Sequence, residues 1–140
     1  ANPLSASAGT TALGIITAEP LNDRADALTE RRKTGLNGVL SQGETSGFSY
    51  NVCSNLFVAL GLEEELDADG ICVNSHDSLR EANDPQTMAH LRKALLNEGV
   101  HLISNGGFVS ASHDDADIEQ TAVAFDSALT AVVGEGYLAG

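Results

Sequence analysis

The chain has 140 residues, enough for one domain with a buried core, and its apolar fraction of 42% excludes intrinsic disorder. Seven Lys and Arg stand against twenty Asp and Glu, a formal net charge of −13; such a surface repels phosphate backbones and anionic lipid, so nucleic acid and membranes are excluded as partners. No apolar run approaches the ~20 residues of a membrane span, and no basic-plus-apolar leader is visible, so the expected compartment is the cytoplasm.

In chain order, Asn2-Pro3 opens a first helix, because proline at the first helical position lacks only an N–H that would go unbonded anyway. The run Leu4 to Thr17 is rich in small residues and apolar at Leu13, Ile15 and Ile16. It reads as a helix meant to pack closely against a neighbour outside this sequence. Glu19-Pro20 interrupts it, since a residue before proline avoids the helical region. A second helix is expected from Leu21 to about Leu40, burying Leu21, Leu28, Leu36, Val39 and Leu40 and keeping Arg24, Arg31, Arg32 and Lys33 in water. Gly35 and Gly38 weaken its last turns.

From Gly47 the pattern becomes β-like. Phe48 to Ser54 and Asn55 to Gly61 read as neighbouring strands with a turn or bulge at Ser54-Asn55. Glu63 to Asp69 is an acidic solvated loop, Gly70 to Asn74 a further short strand, and the stretch through Glu81, Asn83 and Asp84 a polar connection. Pro85 opens another helix, with Met88, Leu91 and Leu95 as its apolar face and Gly99 at its end. Cys53 and Cys72 are too far apart for a CxxC motif and read as reduced core thiols.

Asn97 to Leu129 is the best-specified stretch. Val100 to Ile103 is a β-prone run, Asn105-Gly106-Gly107 a tight turn, and Phe108 to Ala111 a second short strand. Asp114 is a helix N-cap with Asp117 in capping-box position. Ile118, Ala122, Phe125, Leu129 and Val132 then follow at helical spacing as one apolar stripe. After Val133 the Gly-rich end reads as a fraying terminus. Elements segregated in this way predict an α+β fold, a small antiparallel or mixed sheet with helices on one face.

The runs GV-HLI, GGFVSASH and DIEQT-A-AF, together with Asn2-Pro3-Leu4-Ser5-Ala6-Ser7-Ala8-Gly9 at the start, resemble the C-terminal part of class-III (fold-type I) pyridoxal-phosphate aminotransferases. The glutamate-1-semialdehyde 2,1-aminomutase branch is the most similar. The resemblance implies that residues 1–140 are one C-terminal small domain, 1–42 a helical lead-in and 43–140 the α+β body. It implies a large cofactor-binding domain elsewhere in the enzyme, a homodimer, pyridoxal 5'-phosphate as cofactor of the intact enzyme, and an amino-acid or amino/keto-acid substrate. No cofactor is expected on this segment alone. Carried over residue by residue, it places Ser104, Asn105, Gly106, Gly107 and Phe108 against the substrate, and Asn2 and Pro3 near the cofactor at the dimer interface.

One departure leaves aminomutase and related aminotransferase open as alternatives. Asn105-Gly106-Gly107 stands where aminomutases carry a longer segment with a carboxylate. An ordinary hairpin turn accounts for the same residues without a site, and a stand-alone, non-enzymatic α+β binding or interaction domain is the alternative function. The cofactor needs a lysine, and Lys33 and Lys93 both fall on the polar faces of expected helices, so no catalytic residue is assigned to this chain. His76, His90, His101 and His113 show no metal-ligand spacing.

Overall fold

The computed structural model describes residues 2–43, 45–69 and 71–138. Helix α1 (Pro3–Ala18) starts where Asn2 Oδ1 accepts the Leu4 N–H at 3.0 Å and ends at Glu19-Pro20. None of its residues is buried; Leu4 and Leu13 are 78% and 66% exposed. Helix α2 (Leu21–Gln42) runs straight through Gly35 and Gly38. A Cβ at Gly35 would lie 3.6 Å from Cβ of Ala122, so the glycine marks close helix–helix packing rather than a weak turn. Ala25, Leu28, Thr29, Leu36 and Leu40 form its buried face, with Leu21 and Val39 only half-buried.

Strands β1 (Gly47–Val52) and β2 (Asn55–Leu60) form an antiparallel hairpin in which Tyr50 faces Phe57 and Ser49 faces Val58. The turn is Cys53-Ser54, one residue earlier than the sequence suggested, and Cys53 adopts φ 51°. Cys53 is exposed and Cys72 half-buried, so neither is a core thiol: Cys53 lies in the hairpin turn, Cys72 in the acidic loop, and their apolar neighbours Val52, Ile71 and Val73 are themselves exposed. The outer edge of β1 is covered by Asn37 of α2. Its amide accepts the Ser49 N–H at 2.6 Å and donates to the Ser49 carbonyl at 3.1 Å, imitating a neighbouring strand.

The acidic loop makes only a bridge between Leu66 and Cys72, so the strand expected over 70–74 does not form. Its anchor is Asp67, whose Oδ1 accepts from Asp69 N and Ile71 N, turning the backbone back before a strand can extend. Gly70, the expected start of that strand, lies outside the described residues, as do Ala139 and Gly140 of the expected terminus. The polar connection that follows is a helix, α3 (His76–Ala82), capped by Ser75. Asn83 then ties the next loop to β2, its amide accepting the Leu60 N–H and donating to the Val58 carbonyl.

Helix α4 (Pro85–Asn97) is capped by Asp84 and buries Thr87, Met88, Leu91 and Leu95. Gly99 follows it at φ 82°, the left-handed conformation that closes a helix. Beyond it, Val100 to Ile103 makes only an isolated bridge between Ile103 and Gly106. Strand β3 (Gly106–Phe108) stops before the expected Ala111 and pairs antiparallel with Asn55–Phe57, completing the sheet order β1-β2-β3. Helix α5 (Asp115–Gly134) carries the full capping box between Asp114 and Asp117. Its buried face adds Thr121, Ala124 and Ala128 to Ile118, Phe125, Leu129 and Val132.

Helices α2, α4 and α5 meet the sheet in one apolar cluster built from Leu36, Leu40, Leu56, Val58, Leu60, Leu91, Leu95, Phe125 and Leu129, among others. The fold is therefore α+β, with an antiparallel three-stranded sheet. The segment after α5 is docked rather than frayed. Tyr137 stacks on His90 with ring centroids 3.6 Å apart, and Thr87 donates its hydroxyl to the Tyr137 carbonyl at 2.7 Å. Among the described residues no helix is long and apolar enough to cross a membrane.

Candidate functional site

The turn before β3 consists of Ser104 and Asn105, while the two glycines lie in the strand itself. Of the two, Gly106 is held in close approach to β2. A Cβ on Gly106 would sit 2.2 Å from the Leu56 carbonyl oxygen and 2.9 Å from a Phe57 ring carbon. On Gly107 it would meet only Leu102 at 4.0 Å. Ser104 takes the positive φ of 59° that the turn demands. Asn105 extends the ladder beyond β3: its carbonyl accepts the Val58 N–H at 2.8 Å, and its Nδ2 donates to the Val58 carbonyl at 3.2 Å.

This turn-and-strand unit separates two clefts. Ser104 and Asn105 line the smaller, ≈ 290 Å³, beside Asn83, Met88 and Arg92, and Arg92 donates to the Ser104 carbonyl at 3.4 Å. Gly106, Gly107 and Phe108 line the larger, ≈ 360 Å³, whose floor is the core itself: Leu36, Leu56, Val58, Leu95 and Phe125. Phe108 stands 67% exposed at its rim. Asn2 and Pro3 line neither cleft, and the Asn2 side chain is used to cap α1.

The polar groups of the larger cleft come from α2 and α5 and from the segments flanking β3: Arg32, His101, His113, Asp117, Gln120 and Thr121. Arg32 does not stay in water. It is half-buried, its Nη2 donates to Thr121 Oγ1, and its Nε is buried with no hydrogen-bond partner among the described residues. Burial pulls its pKa below the ordinary guanidinium value, and the Asp117 carboxylate nearby works against that shift. Asp117 is occupied by the capping box, where its Oδ2 accepts the Asp114 N–H at 2.9 Å. His113 folds back on its own loop, Nδ1 accepting the Ser110 N–H at 3.0 Å.

Sequence reasoning placed Arg32 on a wet face because it stands in a run with Arg31 and Lys33. The available signal was Thr29, whose place between Leu28 and Leu36 continues the buried stripe towards Arg32. In the sequence Asp117 signals only the capping box, and Thr121 carries no signal of a site.

Pyridoxal phosphate does not fit the groups present here on their own. Lys33 Nζ is ion-paired with Glu30 at 2.6 Å, and Lys93 is exposed on α4; neither lines either cleft at the 104–108 unit. Among the described residues no group of three or more His, Cys, Asp or Glu is placed to hold a metal ion.

Comparisons with known proteins bear out the resemblance read from the two ends of the chain. No protein-family model matches it. Over 136 residues it is 28% identical to the glutamate-1-semialdehyde 2,1-aminomutase of Methanopyrus kandleri, a match covering 95% of this chain and 30% of that protein. A glutamate-1-semialdehyde aminomutase from Pseudomonas aeruginosa PAO1 shares the fold with a TM-score of 0.68 at 15% identity, over 81% of this chain and 24% of that one. A transaminase with PLP bound has a TM-score of 0.62 at 22% identity, over 83% of this chain and 24% of its own. The chain thus spans less than a third of the length of the proteins it resembles, and the fold it shares with them is one part of theirs.

Proposed function

We propose that this chain is the C-terminal small domain of a pyridoxal-phosphate-dependent aminotransferase or aminomutase. The observation that carries the reading is coverage: one relative matches 95% of this chain with only 30% of its own length. In this reading residues 1–140 act as one domain, with a larger domain of the same enzyme supplying the lysine and the cofactor site. Ser104, Asn105, Gly106, Gly107 and Phe108 wall the substrate, and Asn2 and Pro3 approach the cofactor at the interface of a homodimer. The intact enzyme is cytoplasmic and acts on an amino acid or an amino/keto acid.

Three features support the roles given to these residues. Gly106 of β3 lets backbone come close to its neighbour, the exposed Phe108 ring lacks an apolar cover, and α1 presents Leu4, Leu13, Ile15 and Ile16 to solvent. The bound cofactor supplies an electron sink for amino-group chemistry. What this chain adds is shape and water exclusion.

The test is chemical. The natural gene product is purified, loaded with pyridoxal phosphate, reduced with borohydride and digested. The expected result is a product longer than this chain, carrying the reduced cofactor on a lysine outside residues 1–140. A product of this length that takes up no cofactor overturns the reading and favours a stand-alone binding domain.

A further inference from the structure

We propose that Cys53 and Cys72 are a reversible redox latch: a small-molecule disulfide oxidises them to one intramolecular disulfide, which fastens the acidic loop onto the β1–β2 hairpin. They are the two cysteines of the chain, both are free, and both line one cleft of ≈ 390 Å³ between that hairpin, α2 and the loop. Cys53 is exposed and Cys72 half-buried, so a small oxidant can reach them. Tyr50, in the strand that leads into Cys53, reports on their neighbourhood. Burial is the larger cause that pushes its phenol pKa up, and the charge of Cys72 adds to the rise.

The two walls of the cleft are held differently. Cys53 sits in a turn closed by the β1–β2 pairing, and Asn51 Nδ2 donates to its carbonyl at 3.2 Å. Cys72 rides on a loop bonded to itself. Asn74 Oδ1 accepts the Glu65 N–H, Asn74 Nδ2 donates to the Glu63 carbonyl, and the Val73 N–H donates to the Glu65 carbonyl. The Cys72 thiol donates to Asn74 Oδ1 at 3.3 Å. Every hydrogen bond among the described residues of 63–74 closes within that segment, and none of those residues is buried. A segment with its own hydrogen bonds and no buried anchor shifts as a unit at low cost. A disulfide needs its two Cβ atoms ~3.5–4.5 Å apart, and movement of this loop supplies the approach.

The exchange balances. The Cys53 thiolate attacks one sulfur of the oxidant, forming a mixed disulfide and releasing one thiolate. The Cys72 thiolate then attacks Cys53 Sγ and displaces the second. The two protons lost by the cysteines end on the two released thiols, so the protein loses two electrons and the oxidant gains them. Charge selects the oxidant. Glu30 and Glu64 line the cleft, Lys33 is already paired with Glu30, and the chain carries a net charge of −13. Such a field draws in a cationic disulfide and repels an anionic one. Every group named belongs to this chain, so the latch stands or falls independently of the aminotransferase reading.

In the test, the natural gene product is reduced, then exposed at neutral pH to cystamine, a dication, or to glutathione disulfide, an anion, and mapped by peptide mass spectrometry. The expected product is a reducible peptide pair joining Cys53 to Cys72, formed at least about tenfold faster with cystamine. Cleavage after Glu63, Glu64 and Glu65 by a glutamate-specific protease should slow at least about tenfold on oxidation and recover on reduction. Cys72→Ser should stop at a cystamine adduct on Cys53 and keep the loop cleavable. A mixed disulfide as the end product of the unmutated protein, a link between two copies, or cleavage unchanged by oxidation would each overturn the proposal. Equal rates with the two oxidants would overturn the charge argument.

Discussion

Replacing Gly106 by alanine tests whether β3 owes its place to the absence of a side chain. The new Cβ would lie 2.2 Å from the Leu56 carbonyl oxygen and 3.2 Å from its carbon, both backbone atoms that cannot rotate aside. Relief requires β3 to move off β2, and its pairing there consists only of Asn55 with Phe108, Leu56 with Gly107 and Phe57 with Gly106. Overpacking of this kind costs ~1–3 kcal/mol, and contact with rigid backbone puts Gly106→Ala at the upper end, ~3 kcal/mol. For a chain of this size that lowers the melting temperature by roughly 10 °C. Gly107→Ala is the control one residue away. Its Cβ meets only Leu102 at 4.0 Å, so the expected change is within ~0.5 kcal/mol. Urea unfolding of the three proteins, followed by circular dichroism, measures both. Equal destabilisation by the two substitutions would refute the reasoning, because it would mean that strand propensity rather than close approach sets the cost.

Asp114→Ala removes the side-chain acceptor of the Asp117 N–H at the start of α5 and should cost ~1 kcal/mol in the same urea assay. Phe125→Ala opens the centre of the core, where the ring is 1% exposed, and should cost ~3–5 kcal/mol. The backbone N–H of Thr87, with its hydroxyl, holds the Asp84 carboxyl below its ordinary pKa. A depressed folded-state pKa gives stability that is present above the unfolded value and lost as pH falls through the folded one. Asp84→Asn should therefore flatten the acid-side fall in urea midpoint, and an unchanged slope would contradict the assignment. A thiol-reactive dye should label exposed Cys53 faster than half-buried Cys72 in the native protein, by peptide mapping.

Helices α1, α2, α4 and α5 and the first hairpin were legible because their signals are local. Pro3 and Pro85 each follow an Asn or Asp cap, Asp114 and Asp117 form a reciprocal box, and the stripe from Ile118 to Val132 repeats at helical spacing. Where a segment depends on a partner, sequence pattern misled. Val100 to Ile103 has strand-like composition, but the short β3 offers it only the Ile103–Gly106 bridge. Helix α3 was missed because it buries no residue and so shows no apolar stripe; its one signal was Ser75 as a cap.

The candidate site divides in the same way. The residues Ser104 to Phe108 line the two clefts, whereas their glycines are strand rather than turn residues, with Gly106 pressed against Leu56 and Phe57. Arg32 was hidden by its charged neighbours, since its burial comes from α2 crossing α5 beside Thr121. The docking of Tyr137 on His90 is likewise a tertiary contact that no run of glycines announces.

The central claim, that this chain walls the active site of a larger pyridoxal-phosphate enzyme, is tested most directly by an experimental structure of the intact natural product with cofactor and substrate analogue bound. The account predicts Phe108 and the Ser104–Asn105 turn facing the analogue, with α1 covered along Leu13 and Ile16 by the larger domain or the partner subunit. A bound analogue remote from residues 104–108, with α1 still bare, would contradict it.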